Sequence, residues 1–475
     1  MRDNHRAMLR RPTLKADWLE EPKLLFCNGS LHENPKVGIP LYGPRSFGTA
    51  RHRDEVHIGF IGEGEPIQSV QNYIAACSEG IAGEAYHYSF PGCTPEIGYR
   101  FAPRIAAGLA EKITQTEKSS LLRITNKKER FELALALLLD KLKLLSERDH
   151  PLDYVLVVFG EELFGAVHSA QYGGEHGPIH RDLRRAFKAG AMRFKKPTQL
   201  FRESTTGDSS AARMLDNPAT RAWNLFTSMY FKAGGLPWSP YGLRHSTCYV
   251  GVSFYRPLGE PSSIRTSVAR AFDENGEGLV LRGQKFEWDE EKMGKSPHLP
   301  AEHAAKLIED VLSLYKADRH EQLPQRVVVH KTSAFDPAER DGFSAALSKV
   351  GEFDLVSVSP TSSVRLLRTG SYPPLRGTVL NIEKEHYLYT TGYMPVITAF
   401  PHGHVPSPLR IVDHIGDTAT TEILHEILVL SKMNWNSANM DGLLPITVTF
   451  SRIVGDILRE VPPDATPEAK FVYYI

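Results

Sequence analysis

Residues 153–160 read Asp-Tyr-Val-Leu-Val-Val-Phe-Gly, and the six positions between Asp153 and Gly160 are all apolar. A strand without polar alternation has to be buried on both faces, which is typical of a parallel sheet covered by helices. A strand pattern at 56–64 precedes this stretch, and a second strand begins at 197. Helical stretches at 126–148 and 179–194 lie between these strands. This alternation predicts an α/β domain.

The predicted α/β domain occupies residues 53–240 of the chain. Residues 1–52 lack sustained periodicity but contain apolar anchors among Pro, Gly and Asn, which predicts an extended arm lying along another surface. In residues 241–475, three strand candidates precede a helix-strand-helix-strand succession, the order of an RNase H-like sheet. The three strand candidates are 247–256, 264–272 and 279–287.

The bulk composition excludes a generally basic nucleic-acid binder. The 475 residues contain 56 Lys+Arg and 56 Asp+Glu, so any nucleic-acid site must come from local clustering. The four cysteines form no CxxC pair, which favours free thiols in a reducing compartment over a zinc site. No run of 18 apolar residues is present, so we expect a cytoplasmic protein without membrane contact.

Two short motifs have a functional and a structural interpretation. Gly59, Gly62 and Gly64 follow the first strand and could form a dinucleotide site, but their spacing is not GxGxxG and favours a tight turn. A nucleotide-binding metabolic enzyme built on this turn is therefore a weak alternative. His402 and His404 could bind a metal, but two histidines in a Pro/Gly loop are more often surface residues.

A basic cluster follows the long apolar strand. Arg184 and Lys188 are four residues apart in a predicted helix at 180–194, so they project from one face. Gln199 follows at the start of the next strand. Two cations and an amide from adjoining elements could hold a terminal phosphate, whereas composition alone favours a solvated basic face. The Arg and Lys residues of this segment are Arg181, Arg184, Arg185, Lys188, Arg193, Lys195, Lys196 and Arg202.

The spacing Arg184-x3-Lys188-x10-Gln199, together with Lys232 in "NLFTSMYFKAGGLPW", resembles the MID domain of Argonaute proteins. The resemblance implies that these four residues bind the 5′-phosphate of a guide strand. Residues 241–475 resemble a PIWI domain, the Argonaute version of the RNase H fold. The family also implies a structural Mg²⁺ ion at the guide phosphate, held by the C-terminal carboxylate of Ile475. The expected fold is thus a Rossmann-like MID domain followed by an RNase H-like PIWI domain.

The PIWI resemblance also implies positions for catalytic carboxylates, and this chain has other residues there. The first aspartate of an active PIWI domain, in a pattern like GxDxS, corresponds to Ser253. The later positions correspond to Thr332 and Arg452. A hydroxyl is a weak Mg²⁺ ligand and an arginine repels the ion, so we expect no catalytic metal and no strand cleavage. An active guide-directed endonuclease, with carboxylates outside these positions, is the alternative.

The segment "EPKLLFCNGSLHENPKVGIPLYGP" is similar to the start of short prokaryotic Argonautes, which lack the PAZ domain. This resemblance implies a heterodimer with a partner that carries an APAZ region and an effector, with Sir2 slightly favoured over TIR. It further implies a guide RNA, a complementary single-stranded DNA target, and a defence response in which the partner depletes NAD and the infection aborts. The arm at 1–52 is a candidate for part of the partner contact.

Overall fold

The structure is a computed structural model that describes residues 13–85, 87–175, 177–207, 215–260, 262–271, 278–395, 400, 405–462 and 464–475. The strands are β1 (Leu14–Trp18), β2 (Leu24–Leu25), β3 (Leu31–His32), β4 (Glu55–Glu63), β5 (Ala102–Ile113), β6 (Tyr154–Phe159), β7 (Ser169–Gly174), β8 (Gly177–Asp182), β9 (Thr198–Arg202), β10 (Ser239–Pro240), β11 (Thr247–Tyr255), β12 (Ser263–Ala271), β13 (Leu279–Glu287), β14 (Arg326–Lys331), β15 (Glu352–Pro360), β16 (Thr378–Ile382), β17 (Glu385–Leu388) and β18 (Leu409–Gly416). The helices are α1 (Pro35–Tyr42), α2 (Gly64–Glu79), α3 (Gln115–Arg123), α4 (Lys127–Ser146), α5 (Glu161–Val167), α6 (Leu183–Ala191), α7 (Pro218–Lys232), α8 (Glu290–Met293), α9 (Ala301–Asp318), α10 (Pro337–Leu347), α11 (Thr420–Leu430) and α12 (Ile446–Leu458).

A four-stranded parallel sheet with strand order β5-β4-β6-β9 forms the first domain. All six residues of β6 are buried. Val155 and Val157 belong to a core cluster with α4 and α6, whereas Leu156 and Val158 belong to a second cluster with α2 and α7. Alternate side chains of β6 therefore enter two different cores, which explains why the strand is apolar throughout.

Two helices of this domain differ from the sequence-based expectation. Helix α4 begins after Asn126, whose side chain accepts a hydrogen bond from the Glu129 amide, as predicted. It is less buried than predicted, because Leu133 and Leu144 are 47% and 53% exposed. The helix expected at 180–194 begins only at Leu183, because residues 177–182 pair with β7 as a hairpin. Asp182 ends that hairpin and caps α6.

The glycine-rich stretch is not a tight turn. Gly59 and Gly62 lie inside β4, and Gly64 begins α2 directly. At Gly62, φ is +149°, and a Cβ would lie 2.0 Å from the carbonyl oxygen of Val158. The glycine is therefore needed for the close approach of β4 and β6. His402 and His404 lie outside the described residues.

A nine-stranded mixed sheet forms the second domain, with strand order β1-β16-β17-β18-β15-β14-β11-β12-β13. Strands β11, β12 and β13 pair antiparallel, and β14 and β15 continue the sheet in parallel. This confirms the predicted RNase H-like order and the α/β fold class. Helix α12 crosses the sheet at Gly251, where a Cβ would lie 2.0 Å from the carbonyl oxygen of Thr447. Any other residue at 251 would push this helix away.

The N-terminal segment lies along the chain's own surface. Strand β1 pairs with β16 at the edge of the large sheet, and β2 pairs with both β3 and β10. Leu24 and Phe26 are fully buried in the main core. Glu21 forms ion pairs with Arg376 at 2.9 Å and with Lys432 at 2.7 Å. Apolar packing and a buried ion-pair cluster thus attach this segment to the second domain.

Two further findings concern the chain as a whole. Cys27, Cys77, Cys93 and Cys248 are all buried free thiols. Within the ranges given above, no helix is long and apolar enough to span a bilayer.

Candidate nucleic-acid interface

Lys188 lies on α6 with only 1% of its surface exposed. Its Nζ donates a hydrogen bond to the Thr198 carbonyl oxygen at 2.9 Å and another to the main-chain oxygen of Ile475. Burial, followed by the nearby charges of Lys232 and Arg184, holds the pKa of Lys188 well below its ordinary value. Burial in this pocket therefore disfavours the charged form of Lys188, and a nearby anion would favour it.

Lys232 is the last residue of α7 and is 3% exposed. Its Nζ donates to Gln199 Oε1 at 2.9 Å, an atom that also accepts from the Tyr154 hydroxyl at 2.7 Å and from Ser228 Oγ at 2.8 Å. Burial, and then the charge of Arg184, lowers the pKa of Lys232 well below its ordinary value. The amide of Gln199 is thus fixed in orientation by three donors.

Arg184 lies one turn before Lys188 and is partly buried. It makes no hydrogen bond or ion pair within the described part of the chain, and burial lowers its pKa. No side-chain carboxylate of the described residues forms an ion pair with Arg184, Lys188 or Lys232. An anion placed among these three cations would gain charge-assisted hydrogen bonds and relieve their mutual repulsion.

The other cations of the basic segment have structural roles. Arg181 pairs with Glu132 and with Glu460, the second contact at 2.8 Å. Arg185 pairs with Asp456 of α12 at 3.0 Å. The contacts with Asp456 and Glu460 join the first domain to α12 and to the residues that follow it, so only part of the local excess of charge is left for a ligand.

The structure thus brings together the predicted Arg184, Lys188, Gln199, Lys232 and Ile475. Sequence reasoning missed Tyr154 and Ser228, which orient Gln199. The available signal for Tyr154 was its hydroxyl at the start of the apolar run 154–159. Nothing in the sequence marked Ser228. A cavity of about 280 Å³ adjoins Gln199 and has a polar lining. Its polar lining residues include Thr205, Asp216, Arg221, Asn224 and Asn436.

A separate cavity of about 520 Å³ is lined by Ser253, Thr332 and Arg452 together. The carboxylates among its lining residues are Glu290 and Asp456. Each of them is ion-paired with an arginine, Glu290 with Arg256 and Asp456 with Arg185.

The rest of this lining adds positive charge. Lys295 and Lys331 border the cavity, and Lys331 is ion-paired with the buried Glu339. Among the residues that the structure describes, no group of three His, Cys, Asp or Glu side chains could hold a metal ion. The cavity is therefore cationic, whereas a pair of divalent metals requires several converging carboxylates.

A Rossmann-like domain followed by an RNase H-like sheet is the MID–PIWI architecture of Argonaute proteins. Solved structures with this fold include Clostridium butyricum Argonaute bound to a guide DNA and a 19-mer target DNA, with 16% identity and a TM-score of 0.64. Drosophila Piwi has 11% identity and a TM-score of 0.62, and A. aeolicus Argonaute has 15% identity and a TM-score of 0.55.

These matches cover 95%, 96% and 95% of the chain and 54%, 56% and 54% of the respective structures, so the chain spans about half their length. At such identities the likeness establishes the fold. No protein-family model and no curated protein matches the sequence.

Proposed function

We propose that the chain binds the 5′-phosphate of a small guide strand, with RNA as the preferred guide, and uses that guide to recognise complementary single-stranded DNA. The observation that carries the proposal is the pair of buried lysines, Lys188 and Lys232, beside Arg184 and without a side-chain carboxylate partner among the described residues. Buried cations are costly unless an anion compensates them. A terminal phosphate supplies several acceptor oxygens and the missing negative charge.

Each group of the pocket has a task in this proposal. Lys188 and Lys232 approach from α6 and α7, and Arg184 extends from the first turn of α6. Because Gln199 Oε1 is occupied by three donors, its Nε2 group is left to donate to a phosphate oxygen. These groups orient the guide end, and base pairing then reads the target sequence.

Mg²⁺ fits this pocket only together with a phosphate. The ion takes one or two protein oxygens plus phosphate oxygens, and the main-chain oxygen of Ile475 lies beside Lys188. No side-chain carboxylate of the described residues pairs with the pocket lysines, so the protein alone provides a poor magnesium site. When bound with the guide, the ion would supply positive charge between Ile475 and the phosphate.

We further propose that the chain does not cut its target. The support is the lining of the 520 Å³ cavity, where Ser253, Thr332 and Arg452 replace carboxylates and both lining acids are already ion-paired. The alternative, a guide-directed endonuclease, would need metal ligands from residues other than these.

A guided binder that does not cut needs a partner for its output. We propose that the chain is the guide-binding subunit of a short prokaryotic Argonaute defence system, in a heterodimer with an APAZ-effector protein. The expected effector is an NADase, Sir2 rather than TIR, so that target recognition depletes NAD and aborts the infection. Support comes from the similarity of the 21–44 segment to the start of short Argonautes.

The phosphate pocket is tested by the double variant Lys188→Ala/Gln199→Ala. Wild-type protein should bind a 5′-phosphorylated guide more tightly than the same guide with a 5′-hydroxyl, and the double variant should bind both equally. Lys143→Ala/Gln68→Ala, with both residues exposed on helices outside the pocket, is the matched control. If the double variant discriminates between the two guides as well as the wild type does, the pocket is misassigned.

Cleavage and partnership are tested separately. We expect no Mg²⁺- or Mn²⁺-dependent cleavage of a labelled complementary strand by the chain with its guide; a metal-dependent product of defined length would establish the endonuclease instead. Affinity purification from the native cells should recover one APAZ-effector chain with short RNA. Recovery of the chain without a partner protein would contradict the heterodimer, and recovery with DNA guides only would contradict the preference for RNA.

A further inference from the structure

A third cavity, of about 680 Å³, lies apart from both sites described above. It forms where Arg45 of the N-terminal segment, the linker after β10, the start of β11 and the end of α9 meet. Its volume is within the range of about 300–1,000 Å³ that is usual for small-molecule sites. None of its lining residues belongs to the phosphate pocket or to the 520 Å³ cavity.

The wall of this cavity contains buried polar groups without partners. Ser239 is 1% exposed and Thr247 is 6% exposed, yet neither side-chain hydroxyl makes a hydrogen bond within the described residues. The Nε atom of Arg45 is likewise buried and unpaired there. A buried polar group without a partner costs about 1–3 kcal/mol, so three of them in one wall point to a polar ligand.

The charge of the lining specifies the kind of ligand. Arg45, Arg244 and Arg319 border the cavity, and no described lining residue is acidic. Arg244 is held at the rim by Glu352 at 2.9 Å and by Glu422 at 3.7 Å. Arg45 forms no ion pair with the described residues. Its guanidinium group is therefore positioned to bind an anion, and phosphate matches its planar donor geometry.

The lining also has an aromatic part. Tyr241 is 50% exposed at the rim, and Tyr315 is buried in the wall. Flat heterocycles pack favourably on such rings. We propose that this cavity binds a nucleoside 5′-monophosphate, with its phosphate on Arg45 and the two unpaired hydroxyls and its base against the tyrosines. This site is independent of the guide site, so either proposal can fail without the other.

Isothermal titration calorimetry on the full chain tests the proposal with each of the four ribonucleoside 5′-monophosphates at millimolar concentration. The chain carries Lys188→Ala/Gln199→Ala, because the guide pocket would also accept a 5′-phosphate. We expect at least one to bind and Arg45→Gln to weaken it by about 10- to 100-fold, as expected for a lost charge-assisted contact. Arg53→Gln is the matched control, because Arg53 is an exposed arginine of the same region outside the cavity. Thr247→Val keeps the side-chain shape and should weaken nucleotide binding several-fold. It provides a second measurement if Arg45→Gln fails to fold.

Because the guide pocket would also accept a 5′-phosphate, only the nucleotide binding that persists in Lys188→Ala/Gln199→Ala is assigned to this cavity. Inorganic phosphate and the free nucleosides should bind more weakly than the monophosphate, because each makes only part of the contacts. The absence of binding by all four nucleotides would show that the cavity holds only water and would overturn the proposal. In that background, nucleotide binding that is as tight with Arg45→Gln and with Thr247→Val as without them would overturn the proposal, and so would complete loss of binding in Lys188→Ala/Gln199→Ala alone.

Discussion

Replacing Lys232 with methionine separates the stability of the phosphate pocket from its function. Methionine is also unbranched and apolar, so it fills a similar space without the charge. Gln199 Oε1 would keep two donors, the Tyr154 hydroxyl at 2.7 Å and Ser228 Oγ at 2.8 Å. The substitution therefore leaves no hydrogen-bond acceptor of the pocket without a donor. We therefore expect the free protein to become more stable while its affinity for a phosphorylated guide falls.

The expected magnitudes follow from the contacts that the charge makes. Two unit charges about 6–8 Å apart repel by about 2–3 kcal/mol at an effective dielectric constant near 20. Loss of the hydrogen bond from Lys232 to Gln199 destabilises the variant by about 1.5–3 kcal/mol, whereas removal of the desolvation cost of a buried ammonium stabilises it by several kcal/mol. Because the repulsion that is relieved and the hydrogen bond that is lost nearly cancel, desolvation decides the balance, and the free energy of unfolding should rise by several kcal/mol. Loss of one charge-assisted contact to phosphate should weaken guide binding by about 10- to 150-fold.

The pH dependence provides an additional test of the same charge. Because the folded-state pKa of Lys232 is lowered, the unfolded chain binds more protons between that pKa and 10.5. The free energy of unfolding of the wild type should therefore rise with pH across this window, and less steeply in Lys232→Met.

Urea denaturation of the free protein and competition between 5′-phosphate and 5′-hydroxyl guides measure the two effects. Lys143→Met is the control, because the side chain of Lys143 is 58% exposed on α4. A variant that is less stable than the wild type and still prefers the phosphorylated guide would refute the reasoning.

Three further predictions concern the second domain. Gly251→Ala should lower the free energy of unfolding by about 1–3 kcal/mol, because its Cβ would meet the carbonyl oxygen of Thr447 at 2.0 Å. Urea denaturation at unchanged m-value checks this, and an unaltered midpoint would contradict it. Burial lowers the pKa of His330 from 6.5 to about 3. Between pH 6.5 and 5 the free energy of unfolding of the wild type should therefore fall by about 2 kcal/mol more than that of His330→Phe. Parallel pH profiles of the two proteins would argue against this. Ser253→Asp should not produce metal-dependent cleavage of a labelled target, since Arg452 borders the same cavity; a cleavage product would be inconsistent with this account.

Local pattern was sufficient for the central elements of both sheets. The apolar run of β6 and the Asn126 cap of α4 are local signals, and both are confirmed. The sequence pattern wrongly extends the helix back over residues 179–182, because basic residues run from β8 straight into α6. Pairing with β7 is a tertiary preference that periodicity does not contain.

In the candidate site, too, the sequence predicts the local pattern but not the tertiary contacts. A helical spacing of four predicts that Arg184 and Lys188 share a face, but it does not reveal that Lys188 is buried. That burial depends on Ile475, whose oxygen accepts from Lys188 across 287 residues of sequence. Nor could sequence reveal that Tyr154, Ser228 and Lys232 converge on one amide oxygen, because they come from β6 and α7.

The attachment of the N-terminal segment has a consequence for biosynthesis. Glu21 is separated from Arg376 by 355 residues, so this early part of the nascent chain finds its ion-pair partner only after most of the polypeptide has been made. Until then the apolar side chains of Leu24 and Phe26 have no finished core to enter. Closing such a long loop is slow compared with local folding, and exposed apolar segments are prone to aggregate. We therefore expect the segment to dock last, after both sheets have formed, so that its docking completes the core that Leu24 and Phe26 enter.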